Sequence, residues 1–189
     1  MIRIGILGDI GSGKTFVAKN FGFPVFDADY EVSKLYQKDK KIFYKIKKIF
    51  PKYIKSFPIK KEEIIEALIV NNINLKKLIK IVHAEIRKKL LTFLKKNKNK
   101  RFVILDVPLL LENKLNKKSD VLIFIDSKNK DILKRLKKRK NFNEIIYRRF
   151  KNIQLPLKYK KKKANFIIKN NFTKKIVKNN IKTILNTLI

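Results

Sequence analysis

Residues 2–7, IRIGIL, form a nearly unbroken apolar run that stops at a glycine. A strand with one wet face alternates apolar and polar side chains, whereas a strand covered on both faces does not. The run therefore predicts a central parallel strand. Four further runs of the same kind follow: PVFDAD (24–29), which ends in acids, RFVILDVP (101–108), stopped by Pro108, VLIFID (121–126) and NFIIKNN (165–171). Between them the apolar period lengthens to that of a helix. A first helix is predicted from about Lys14 to Phe21, stopped by Gly22 and Pro24. Ile42, Phe43, Ile46, Ile49 and Phe50 keep helical spacing, as do Leu75, Leu78, Ile79, Val82, Ile86 and Leu90.

Strands alternating with helices predict an α/β fold, a five-stranded parallel sheet covered by helices. The long stretch 30–101 between the second and third strands reads as a helical insertion on the substrate side, interrupted by Pro51 and Pro58. It belongs to one domain spanning 1–189, a length ordinary for a single domain.

Composition narrows the picture. The chain is 44% hydrophobic and 11% aromatic, enough for a packed core. It has no cysteine, which excludes disulfides and thiolate metal sites and suits a reducing compartment. No basic leader with a cleavage site precedes the first strand, and no apolar run reaches the 18 or so residues of a membrane helix. The expectation is a soluble cytoplasmic protein with no membrane partner.

The formal net charge is +34, from 49 Lys and Arg against 15 Asp and Glu. Such a charge suggests nucleic acid. Only seven of those cations are Arg, at positions 3, 87, 101, 135, 139, 148 and 149. Recognition of phosphates or bases favours the bidentate guanidinium, so an excess of Lys alongside much Ile and Asn reads as compositional bias on solvated positions. No specific nucleic-acid partner is expected, although the field would steer small anions inward.

The sharpest chemical signal follows the first strand. Gly8-Asp-Ile-Gly-Ser-Gly13-Lys14-Thr15 fits G-x-x-x-x-G-K-[ST]. It stands between a strand and a helix, the context in which backbone N–H groups turn inward around phosphate. Gly8, Gly11, Ser12, Gly13, Lys14, Thr15 and Phe16 are expected to form a nucleoside triphosphate site, with Lys14 toward the β- and γ-phosphates and Thr15 toward Mg²⁺. Asp9 is an acid inside an anion site; the motif leaves its position free, so its carboxylate is expected to face solvent or a neighbouring Lys.

Three other groups bear on the acceptor. Asp27 and Asp29 end the predicted second strand, where an acid can take a proton from an attacking hydroxyl, or simply cap a helix. Asp106 ends the third strand, where a carboxylate can hold Mg²⁺ through water, or cap. Arg135 and Arg139 stand i, i+4 and are expected on one helix face, either as charge stabilisers of a transferring phosphoryl group or as part of a solvated basic helix. KYKKKK (158–163) reads equally as a solvated charge run or a mobile phosphate-facing lid.

Taken in order, these motifs resemble dephospho-CoA kinases nearly end to end. GDIGSGKT resembles the family's GGIGSGK[ST], VFDAD (25–29) its V-I-D-A-D, and VHAEIR (82–87) its H-P-x-[IV]-R. DVPLLLEN (106–113) resembles its P-L-L-x-E, LKRLKKR (133–139) its R-x₃-R, and QLPLKYKKKKANFIIKNN (154–171) its C-terminal segment. The resemblance implies a P-loop kinase fold with a lid over about 135–163. It implies transfer of the ATP γ-phosphate to the ribose 3′-hydroxyl of dephospho-CoA, with Mg²⁺ as cofactor.

By the same resemblance Asp29 is the base, with Lys14 and Arg135 the other catalytic groups. Arg139 joins the ATP site, and Asp27, His83, Arg87 and Glu112 face the acceptor. His83 reads equally as a satisfied core residue, and Glu112 nearly as well as a structural salt bridge. The chain departs from the family pattern at Asp9, at Ala84, at Lys60 and Lys61, and at Asn165. The loop alone would fit another small-molecule kinase, or an NTPase that binds nucleic acid. The P-L-L-x-E match, the C-terminal segment and the scarcity of Arg argue against both.

Overall fold

The computed structural model describes residues 1–139 and 142–188. Five strands, β1 (Ile2–Gly8), β2 (Val25–Asp27), β3 (Phe102–Asp106), β4 (Val121–Asp126) and β5 (Phe166–Lys169), make one sheet in the order β2-β3-β1-β4-β5. All neighbours are parallel. The central position of β1 explains its unbroken apolar run, since it has helices to cover both faces. Its one charged residue, Arg3, is neutralised by Asp120 at 2.9 Å and donates to the carbonyl of Leu115. Burial pushes the Asp120 carboxyl above its usual range, against the lowering effect of the Lys117 N–H and of Arg3.

Nine helices complete the described residues: α1 (Lys14–Asn20), α2 (Ala28–Lys38), α3 (Lys40–Ile49), α4 (Lys61–Val70), α5 (Asn72–Lys96), α6 (Asn129–Lys137), α7 (Glu144–Ile153), α8 (Leu157–Lys163) and α9 (Lys174–Leu188). They divide into two compact units. The first comprises Met1–Asp27, Leu94–Phe142 and Gln154–Ile189, the second Ala28–Phe93 and Asn143–Ile153.

The first unit holds the sheet. Ile4, Ile6, Ile104, Ile123, Ile125 and Ile168 point into a core closed by Val17 and Ala18 of α1, Phe21 at its C-cap, and Val177, Ile181 and Ile184 of α9. Each such side chain contributes roughly 1.5–3 kcal/mol by leaving water. At the β4–β5 edge the backbone N–H of Leu122 donates to Asn165 Oδ1 at 2.8 Å, and Asn165 N–H returns a bond to the Leu122 carbonyl. The acceptor oxygen needed there is present in Asn as in Asp, which accounts for that departure from the family pattern.

The second unit is helical. The Asp39 side chain caps α3 by accepting from Ile42 N–H at 3.0 Å. Ile42, Phe43 and Ile46 of α3 and Leu75, Leu78, Val82, Ile86 and Leu90 of α5 are buried, as their spacing predicts. Arg149 of α7 donates to the carbonyls of Leu68 and Ile69 at the end of α4, taking up groups a helix end leaves unsatisfied.

Two expectations are corrected here. The second strand is shorter than PVFDAD suggests: it ends at Asp27, and Ala28 and Asp29 already belong to α2. KYKKKK is not a wholly solvated charge run: it lies in α8, and its Lys160 is buried. The lid expected over about 135–163 includes residues 140 and 141, which lie outside the described residues.

Candidate active site

Phosphate chemistry in the first unit begins where β1 ends. The loop Asp9–Gly13 turns back through a Ser12 N–H bond to the Asp9 carbonyl at 3.2 Å and delivers the chain into α1. Gly13 has φ +91°, in the left-handed region that L side chains rarely adopt. A Cβ there would also lie 2.5 Å from Asn170 Nδ2. Both strain and space therefore require glycine.

Lys14 is buried, and its ammonium donates to the loop's own carbonyls, Asp9 O at 2.8 Å and Gly8 O at 3.4 Å. This holds the cation over the loop's concave side, where phosphate oxygens would compete for it. Thr15 and Phe16 follow in the first turn of α1, which carries no acid. No side chain caps that helix start, and helix N–H groups with the positive dipole end favour an anion there.

Two residues far away in sequence lock the loop. Ser127 Oγ donates to the Ser12 carbonyl at 2.9 Å, and Asn170 Nδ2 donates to the same oxygen at 2.8 Å. Ser12 itself is fully buried. Neither Ser127 nor this use of Asn170 was legible beforehand, because both bonds span more than a hundred residues of chain.

Asp9 is not solvated as expected. It is 4% exposed, and its carboxylate accepts from the next backbone N–H, that of Ile10, at 2.7 Å. It lines a cavity of about 280 Å³ together with Asp126, Ser127, Lys158 and Lys161. Lys158 and Lys161 line the same cavity, and the burial of Asp9 rules out a solvent-facing carboxylate.

The carboxylates divide between the units. Asp27 and Asp106 are register partners, the last residues of adjacent strands β2 and β3, so two acids stand side by side at the carboxyl end of the sheet. Ligands of open α/β sheets bind at this end. Asp106 is buried and Asp27 half-buried. Asp29 belongs to the first turn of α2 in the second unit and is exposed. Burial, and after it the charge of Asp29, pushes the Tyr36 phenol well above its usual range, so Tyr36 remains a neutral hydroxyl on the same helix.

Both His83 and Arg87 lie on α5, His83 half-buried and Arg87 exposed. Lys60 is the N-cap of α4 and Lys61 its first residue, both exposed. Ala84, where the family pattern has proline, lies inside α5, where a proline would remove a helix bond.

The arginine pair does not share a helix face as its spacing suggests. Arg135 occupies the last turn of α6, but the helix ends at Lys137, and Arg139 follows the C-cap. Its N–H closes a turn to the Leu136 carbonyl at 3.0 Å. The Arg135 guanidinium lies 4.1 Å from the ring centroid of Phe172, a residue for which sequence gave no signal. Glu112 takes the structural alternative: its Oε1 is 2.6 Å from Lys160 Nζ and also accepts from Leu155 N–H at 2.9 Å.

Comparisons with known proteins agree with the motifs. A family model described as dephospho-CoA kinase matches residues 2–175. A curated relative from Wolbachia sp. subsp. Brugia malayi, named dephospho-CoA kinase, is 35% identical over 190 residues, covering 98% of this chain and 97% of its own. The crystal structure of a Thermus thermophilus protein covers 100% of this chain and 98% of its own, with TM-score 0.78 and 25% identity. A dephospho-CoA kinase structure from Campylobacter jejuni covers 98% of this chain and 96% of its own, with TM-score 0.62 and 22% identity.

Proposed function

The chain belongs to the dephospho-CoA kinase family, and from that premise we propose how its own residues carry the γ-phosphate of ATP to the ribose 3′-hydroxyl of dephospho-CoA. The observation that carries the reading is the phosphate loop with Lys14 held over its carbonyls, beside the adjacent carboxylates of Asp27 and Asp106.

Gly8, Gly11, Ser12 and Gly13 present backbone N–H groups to the phosphates, and Phe16 adds its own nearest the α-phosphate. Lys14 exchanges its loop carbonyls for β- and γ-phosphate oxygens. Arg135 lends a guanidinium to the charge that builds on the transferring group, and Arg139 stays on the ATP side. Such contacts accelerate phosphoryl transfer mainly by positioning and charge stabilisation.

Asp29 takes the proton of the attacking hydroxyl. It stands exposed in the first turn of α2, and a carboxylate is the usual base for such a hydroxyl. Asp27, His83 and Arg87 hold the acceptor, with Lys60 and Lys61 as point charges for its phosphates. We assign the stretch 30–101 to the acceptor side and about 135–163 to a lid within a single kinase domain.

The magnesium implied by the reaction fits the donors present. Among the described residues no group of three or more His, Cys, Asp or Glu could hold a metal alone. Magnesium in kinases needs only one or two protein oxygens besides phosphates and water. The Thr15 hydroxyl and, through water, the Asp106 carboxylate would be those oxygens. When bound, the ion would supply neutralisation of phosphate charge.

The setting is cytoplasmic, with ATP and dephospho-CoA as partners and no specific nucleic acid. Among the described residues no helix is long and apolar enough to cross a membrane. An ADP-release assay tests the reading. Turnover is expected with dephospho-CoA as acceptor and not with nucleosides or nucleoside monophosphates, and ATP against GTP settles the donor. Equal turnover with a nucleoside acceptor would overturn it.

A further inference from the structure

We propose that Phe172 is a positioning residue for the transfer: its ring holds the guanidinium of Arg135 in register with the phosphate loop. The inference rests on the reading of Arg135 as a phosphate contact and adds the means by which that arginine is held.

Three contacts form a chain. Asn170, 3% exposed, uses its amide at both ends: Nδ2 donates to the Ser12 carbonyl of the phosphate loop at 2.8 Å, and Oδ1 accepts from Phe172 N–H at 2.9 Å. That second bond bends the backbone so that Phe172 sits at φ +67°, a left-handed conformation unusual for an aromatic residue. The ring then lies between two groups. Its Cε1 would be 3.2 Å from a Cβ at Gly13, and its centroid is 4.1 Å from the Arg135 guanidinium carbon. Gly13 is left without a side chain at the place the ring occupies.

The chemistry suits the task. Among the described residues no carboxylate pairs with Arg135. A carboxylate would occupy the guanidinium N–H groups and neutralise its charge. An aromatic face attracts the cation through its quadrupole and leaves the N–H edge available. The side chain is therefore ordered yet still able to donate to phosphate oxygens. A residue at φ +67° would be relieved by glycine, and the ring's contact with Arg135 is a use that offsets this strain.

The test is steady-state kinetics with ATP and dephospho-CoA on the full chain. Phe172→Leu keeps bulk without the aromatic face, Phe172→Gly relieves the backbone, and Phe172→Tyr keeps the face. Leu and Gly are expected to lower kcat by about two- to fivefold, the range for a lost cation–π contact to an exposed cation, with little change in KM for dephospho-CoA. Tyr should remain near wild type. The unfolding midpoint of Phe172→Gly should match or exceed that of wild type. In an Arg135→Ala background the Phe172→Leu change should cost nothing more.

Wild-type kcat in both Phe172→Leu and Phe172→Gly, or an equal loss with and without Arg135, would overturn the inference. If Arg135→Ala is itself silent, the reading of that arginine fails first. If Arg135→Ala is impaired while Phe172 variants are not, only the positioning role fails. Should Phe172→Leu not fold, Phe172→Gly decides.

Discussion

Lys160 Nζ lies 2.6 Å from Glu112 Oε1, with the two side chains only 2% and 10% exposed. The pair ties α8 to the turn that follows β3, and Leu155 N–H adds a third member at 2.9 Å from the same oxygen. It converts a lysine from a basic run and a glutamate from a family motif into one buried unit.

Breaking that pair on one side leaves an uncompensated charge away from water, which costs about 3–5 kcal/mol. Lys160→Met or Glu112→Gln is therefore expected to lower the unfolding midpoint by roughly 10 °C, at a few degrees per kcal/mol for a chain of this size. The double change Glu112→Leu with Lys160→Met should recover most of the loss. Thermal unfolding of the three variants measures this; a double variant no better than the singles would contradict the pairing.

Asp29→Asn is expected to drop kcat more than about tenfold while ATP binding is retained, the range for a lost general base. Its exposed position on the first turn of α2 makes the swap structurally mild. Turnover measured beside nucleotide titration separates the two effects. A variant with normal kcat would remove Asp29 from the chemistry.

In the loop, Asp9→Gly should change KM for ATP less than about threefold, under ~0.7 kcal/mol. Its carboxylate is already engaged with Ile10 N–H, and it is the Asp9 carbonyl that Lys14 meets. Gly13→Ala is the contrast: a Cβ there meets Asn170 Nδ2 at 2.5 Å in a left-handed backbone. ATP affinity should fall at least about tenfold, a loss of ~1.4 kcal/mol. The two titrations run side by side check the loop geometry.

Glu31 predicts a pH dependence. Burial pushes its carboxyl up, but hydrogen bonds and charge from Lys34 and Lys89 outweigh it and hold the carboxyl below its ordinary 4.5. A lowered folded pKa contributes stability that is complete above the unfolded value and is lost as pH falls through the folded one. The midpoint gap between wild type and Glu31→Gln should thus be full at pH 7 and narrow steadily as pH falls below the ordinary 4.5 and through the lowered folded value. A gap that does not narrow at all on acidification would show that Glu31 acts through shape, not charge.

Much of the architecture was legible in the chain. The unbroken apolar runs located all five strands, because strands covered on both faces carry no polar alternation. The ends were less legible. VFDAD reads as strand through its last acid, yet Asp29 enters α2, since Ala28 continues equally well as helix. Arg135 and Arg139 read as one face because spacing alone does not reveal that α6 stops at Lys137. A solvated charge run is one reading of KYKKKK because five of its six residues are lysines and the sixth is a polar-tipped tyrosine, and the nearby Glu112 makes burial of Lys160 tolerable.

By itself the order of residues determined the phosphate loop, the parallel sheet and the family. These rest on local chemistry: glycines where the backbone must curl, a lysine and a hydroxyl at fixed offsets, and apolar runs at strand length. Tertiary structure decided how the loop is held and which polar groups it consumes. Ser127 and Asn170 converge on the Ser12 carbonyl, Phe172 meets Arg135, and Lys160 meets Glu112. Each of these contacts joins positions distant along the chain, and no local period encodes such a distance; folding of the sheet brings them within a few ångströms.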